Sequence, residues 1–128
     1  MPAANFPEYA RSLQDDLDKV IATGEIVVTT LQVDQRSAVR GFIAGSLQFY
    51  EGSVLHFREF VDLSQAEPKL MYAYHYQDAN NNLIFRYYNA SHRPALSQPE
   101  HRHTRSGVEA SSVPTLSEVL DQILRQTN

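Results

Sequence analysis

The sequence predicts an α+β fold: an antiparallel meander of about five strands flanked by an N-terminal and a C-terminal helix, with a long His/Arg-rich loop before the last helix. Three observations predict it. Apolar residues recur at helical spacing near both ends of the chain. Five strand-like runs lie between them, separated by short polar turns. The stretch Arg86 to Gly107, RYYNASHRPALSQPEHRHTRSG, interrupts both patterns with Pro94 and Pro99 and holds three of the five histidines.

The first helix is expected over about Phe6 to Thr23, with Leu13, Leu17, Val20 and Ile21 on one face. Asn5 is placed to cap it, Glu8 to reach back from the third position, and Gly24 to end it. At the other end, Thr115-Leu116-Ser117-Glu118 has the form of a capping box, followed by an apolar stripe of Leu116, Val119, Leu120, Ile123 and Leu124. The strand-like runs are Glu25 to Asp34, Ala38 to Tyr50, Val54 to Leu63, Lys69 to Asp78 and Leu83 to Asn89. Their connections, DQRS, EGS, a link containing Pro68 and ANNN, are short enough to make neighbours antiparallel.

At 128 residues, with 42% apolar and 20% charged residues, the chain has the size and composition of one globular domain, residues 1–128. Without cysteine there are no disulfides, thiolate metal sites or thiol nucleophiles. No run approaches the roughly 18 apolar residues of a membrane span, and the N-terminus lacks the basic-then-apolar order of a secretory signal. No membrane association is expected, and a cytoplasmic protein is. The net charge of −4 gives no general attraction to nucleic acid, but four arginines against Glu100 between Arg86 and Gly107 make that stretch locally basic.

Strand pairing predicts which side chains share a face. A two-residue turn at Asn80-Asn81 sets Tyr76 opposite Phe85, Tyr74 opposite Tyr87, and His75 opposite Arg86. Tyr72, Tyr74, Tyr76, Leu83, Phe85 and Tyr87 then form an aromatic core face. Met71, Ala73, His75 and Gln77 share the other with Ile84, Arg86 and Tyr88. For the preceding hairpin, a three-residue EGS loop pairs Phe49 with Leu55, Leu47 with Phe57, Gln48 with His56 and Ser46 with Arg58. Either hairpin then carries a histidine and an arginine on its less apolar face.

His92, His101 and His103 are the candidate reactive groups. In an extended segment His101 and His103 point to the same side. Imidazoles titrate near neutrality, so two of them can serve as base and acid, and an arginine can stabilise charge developing on a phosphoryl group. This is a minimal kit for metal-independent RNA cleavage with the ribose 2′-hydroxyl as nucleophile. Three histidines could instead ligate zinc in a metal-dependent hydrolase, or hydrogen-bond backbone groups to pin the loop. No carboxylate stands at a telling spacing, so no metal ligand is assigned and no cofactor is expected. Glycine-rich phosphate loops, G-x-S-x-G elbows, H-E-x-x-H helices and acidic calcium loops are absent from the sequence.

The stretch YAYHYQDANNNLIFRYYNASHRPALSQPEHRH, Tyr72 to His103, resembles the signature of the TumE-type toxin family of bacterial toxin–antitoxin systems. Members typically have a tyrosine-rich strand, a polar turn, a strand reading l-I-F-R-Y-D-N-x-P-H, a spacer, and P-H-H-K-H. Leu83 to Tyr87 match the strand, Asn89 and His92 the Asn and His that follow, and Pro99, His101 and His103 the second motif. Tyr88 stands where the family commonly has Asp, Ser91 replaces a Pro, Glu100 a His and Arg102 a Lys. Loss of the Asp carboxylate disfavours a metal site here.

The resemblance implies a growth-inhibiting protein neutralised by a small antitoxin that carries a DNA-binding domain. The site expected from the residues has His101 and His103 as acid and base in unassigned order and Arg86 on the phosphate. His92 and Asn89 are positioning groups, and His75, Tyr88 and Arg102 contribute to substrate binding. A non-catalytic binding or regulatory module is the competing reading. The strand beginning at Glu25 is expected to be an exposed edge able to pair with a second copy in a homodimer.

Overall fold

A computed structural model of the chain describes residues 3–89, 100–104, 107–110 and 113–127, with the backbone alone over 100–104, 107–110 and 126–127. The order is α1 (Phe6–Ile21), β1 (Ile26–Gln35), β2 (Arg40–Phe49), β3 (Val54–Asp62), β4 (Lys69–Gln77), β5 (Leu83–Asn89), β6 (Glu100–Thr104), β7 (Gly107–Ala110) and α2 (Leu116–Thr127). All strands join one antiparallel sheet in chain order. The five expected strands and two flanking helices are present. The sheet continues further than expected, because the segment read as one long loop contributes β6 and β7.

The caps form as their sequences direct. Asn5 Oδ1 accepts from the Glu8 amide (3.0 Å), and Glu8 Oε2 reaches back to the Ala4 amide (2.9 Å). In α2, Glu118 N–H donates to Thr115 Oγ1 (3.1 Å) while Glu118 Oε1 accepts from Thr115 N–H (3.0 Å), the reciprocal pair of a capping box. Gly24, at φ +83°, carries the chain out of α1. Phe6, Leu13, Leu17 and Val20 of α1 and Leu116, Val119, Leu120 and Ile123 of α2 are buried against Ile43, Leu47, Leu55, Tyr74 and Phe85 of the sheet. Each such side chain contributes roughly 1.5–3 kcal/mol by leaving water. Ile21, expected on that stripe, is 38% exposed. Gly41 is required beneath the Phe6 ring, since a Cβ there would lie 2.1 Å from a ring carbon.

The predicted faces are correct over most of the sheet, but one register differs, and at the start of β5 Leu83 pairs with Gln77 and Ile84 packs against the core cluster, so the expected alternation fails there. In the β2–β3 hairpin Leu47 pairs with Leu55, Ser46 with His56 and Ala44 with Arg58. The turn is longer than EGS: Gly52 N–H donates to Phe49 O and Phe49 N–H to Ser53 O, both at 2.9 Å, with Gly52 at φ +99°. Partners therefore shift by two residues, which leaves every side chain on its expected face because the strand period is two. The β4–β5 pairs Tyr76–Phe85, Tyr74–Tyr87 and His75–Arg86 are as expected. Their turn also spans more than Asn80-Asn81: Asp78 N–H donates to Asn82 O (2.9 Å), Asn81 adopts φ 66°, and a register shift at Tyr76/Gln77 absorbs the difference.

Candidate functional site

The helices cover one face of the sheet, and the other gathers several of the candidate residues named from sequence. Following the register across strands, Ser46 (β2), His56 (β3), His75 (β4), Arg86 (β5) and the position of His103 (β6) fall in one row. At about 4.8 Å between strands the row spans about 19 Å. A second row, two residues along the strands, runs Ala44, Arg58, Ala73, Tyr88 and the position of His101. A third runs Phe42, Phe60 and Met71. Residues paired across an antiparallel sheet lie on the same side, so the three rows belong to the same face.

A groove of about 350 Å³ lies on this face, with Phe42, Ala44, His56, Arg58, His75 and Arg86 in its walls. The His56 and His75 rings are 6.4 Å apart and tilted by 47°. His75 is held below its ordinary pKa, first by burial and then by the neighbouring Arg86 charge, with a smaller push from His56. Its imidazole is thus neutral at neutral pH, the form that accepts a proton. The Arg86 guanidinium carbon lies 5.2 Å from the Tyr88 ring centroid, within cation–π range. Arg86 Nε is buried and has no hydrogen-bond partner among the described residues. An unpartnered buried donor leaves this guanidinium with hydrogen-bonding capacity that the described residues do not satisfy.

Charge is arranged to leave this groove basic. Toward one end of the face Arg36 pairs with Asp34 (2.9 Å) and Arg40 with the buried carboxylate of Asp62 (2.7 Å). Among the described residues no carboxylate lies within ion-pair distance of Arg58 or Arg86.

Of the candidates named from sequence, His75, Arg86 and Tyr88 share the open face, and the register positions of His101 and His103 lie opposite Tyr88 and Arg86. Arg102 takes the position opposite Tyr87, in a row of the helix-covered face, so the register separates it from Arg86. Asn89 spends its amide on the backbone of β4: Oδ1 accepts from Tyr72 N–H (2.9 Å) and Nδ2 donates to Leu70 O (2.8 Å), which fixes the end of β5. His92 lies outside the described residues. Sequence reasoning missed His56 as a neighbour of His75, because that pairing is set between β3 and β4, across the Pro68-containing link, for which no register was assigned.

The covered face holds a polar cluster that sequence reasoning also missed. Glu59 is fully buried and accepts hydrogen bonds from Tyr9 and Tyr74. Lys69 Nζ sits 3.5 Å from Glu59 Oε2, and donates to Tyr74 Oη (2.5 Å) and Pro114 O (2.6 Å). Burial pushes the Lys69 ammonium down and the Glu59 charge holds it up, while burial and Glu59 together raise both tyrosines. The cluster satisfies itself, so its role is to tie α1, β3, β4 and the entry to α2 together. The sequence signal was Glu59 itself, which shares the parity of Leu55, Phe57 and Val61.

Fold and site define a small α+β protein with one sheet face sealed by helices and the other a basic groove lined with imidazoles. The chain belongs to the TumE toxin family: the family model described as Toxin TumE matches residues 16–127. It is the toxin component of a toxin–antitoxin system, and an antitoxin partner follows from that membership. No curated protein and no solved structure matches the chain. Among the described residues no helix is long and apolar enough to cross a membrane, and no cluster of His, Asp and Glu is placed to hold a metal.

Proposed function

We propose that this toxin cleaves RNA by histidine acid/base catalysis in the open-face groove, with Arg86 binding the scissile phosphate between His75 and His103. The observation that carries the reading is the cross-strand row His75–Arg86–His103, which flanks one guanidinium with an imidazole position on either side. Directly opposed residues have Cβ atoms about 4.5–5.5 Å apart, within reach of one phosphodiester. His75, held neutral, takes the 2′-hydroxyl proton as that oxygen attacks phosphorus. The P–O5′ bond breaks and the protonated imidazole of His103 gives its proton to O5′, leaving a 2′,3′-cyclic phosphate and a 5′-hydroxyl. Arg86 stabilises the charge on the equatorial oxygens. His101, at the register position opposite Tyr88, is assigned as a second acid, and Asn89 positions the end of β5.

Tyr88, where the family commonly has Asp, supports this assignment: its ring centroid lies 5.2 Å from the Arg86 guanidinium carbon and the ring carries no charge to neutralise it. The reading has the toxin act in the cytoplasm, where its RNA is, and has the antitoxin carry a DNA-binding domain. Induction without the antitoxin should arrest growth together with decay of total RNA, and His75→Ala and His103→Ala should each abolish both. Growth arrest with intact RNA, or full activity in the folded double variant, overturns the proposal.

A further inference from the structure

The third row of the open face has no part in the chemistry above. Phe42 pairs with Phe60, and Phe60 with Met71, two residues along the strands from Ala44, Arg58 and Ala73. Met71 is 55% exposed, and the two phenylalanines are only partly buried although apolar rings elsewhere in the sheet are packed beneath the helices. Alanines on both sides of Arg58 keep the ground between the rings and the basic row low, and Phe42 lines the same groove as Arg86. The row lies about 13 Å along the strands from the histidines, four residues at about 3.3 Å each.

We infer that Phe42 and Phe60, with Met71, form a base-stacking subsite that makes unpaired RNA the substrate, an inference resting on the RNA-cleavage reading. Charge and shape choose the occupant. An apolar strip bordered by Arg58, with Arg86 further along the same groove, on a chain of net charge −4, suits a ligand that is anionic along one edge and aromatic along the other. A single-stranded nucleic acid has that form: its backbone follows the arginines while splayed bases lie on the rings. In a duplex the base faces are buried in the stack, so the rings have nothing to meet. Stacking accepts any base, so this subsite selects for strandedness rather than sequence.

The test uses full-length toxin carrying His75→Ala to prevent cleavage, and fluorescence anisotropy with a labelled 12-nucleotide RNA, alone and in a perfect duplex. The single strand should bind more tightly than the duplex. Phe42→Leu and Phe60→Leu, which keep bulk but lose the π-face, should each weaken single-strand binding about tenfold, in line with the loss of one stacked base, with melting temperature unchanged. Phe42→Tyr should restore it. Leucine variants that bind as tightly as the parent, equal affinity for duplex and single strand, or no RNA binding at all would overturn the inference. So would loss of antitoxin binding with RNA binding intact, which marks the row as a protein interface. Ring-dependent RNA binding by a protein that does not cleave RNA sinks the cleavage reading alone.

Discussion

His75 shows how a strand position becomes a proton acceptor. Its strand neighbour Gln77 tends to raise its pKa, but burial, Arg86 from β5 and His56 from β3 outweigh that and hold it below 6.5. As the base, it should give kcat/KM an ascending limb whose midpoint lies below 6.5. Removing the charge with Arg86→Gln should move the His75 ring resonance to a higher titration midpoint, which an NMR pH titration measures directly. An unchanged midpoint would remove Arg86 as a cause. The same shift links to stability. A histidine whose folded pKa is depressed contributes most above its unfolded value, and that contribution is lost as pH falls from 6.5 through the folded value.

Among the elements, the Glu59 cluster decides how the helices sit. Glu59 links β3 to Tyr9 of α1 and Tyr74 of β4, while Lys69 reaches Pro114 at the entry to α2. Glu59→Ala leaves a buried ammonium without its counter-charge and two buried hydroxyls without their acceptor. Such a loss costs about 3–5 kcal/mol, a large part of the 5–15 kcal/mol typical of a domain. Chemical denaturation should therefore show a much lower midpoint for Glu59→Ala, whereas a change under about 1 kcal/mol would contradict the ion-pair account. The strands themselves were legible because tyrosine and phenylalanine alternate with polar residues along β4 and β5, and both helices announce themselves by capping residues. The β2–β3 register was not legible, since turn length depends on Gly52 at positive φ and the sequence EGS does not state how far the turn extends into Phe49 and Tyr50. Strands β6 and β7 were hidden because charged and imidazole side chains fill EHRHT, and pairing to β5 overrides so weak an intrinsic strand preference.

At the scale of the whole molecule, the two sheet faces differ: one packs the two helices and the other is left open to the groove. The open-face candidates His75 and Arg86 were legible as a pair because one hairpin register sufficed to join them. His56 joins them through the β3–β4 pairing, whose Pro68-containing connection does not fix a register in the sequence. The long β1 edge has a further consequence. Val27, Val28 and Val33 are exposed on a ten-residue strand with no charge before Asp34, an edge open to pairing with a second copy. Sedimentation should find a dimer that Val28→Lys shifts to monomer, and a wild-type monomer at all concentrations would exclude that pairing.

The central claim is tested most directly by incubating purified toxin with RNA in EDTA and analysing the new ends. The account predicts cleavage in the absence of metal, 2′,3′-cyclic phosphate and 5′-hydroxyl termini, and loss of cleavage in folded His75→Ala and His103→Ala. RNA that stays intact in EDTA and is cut only when a divalent metal is restored, or cleavage undiminished in both variants, would contradict it.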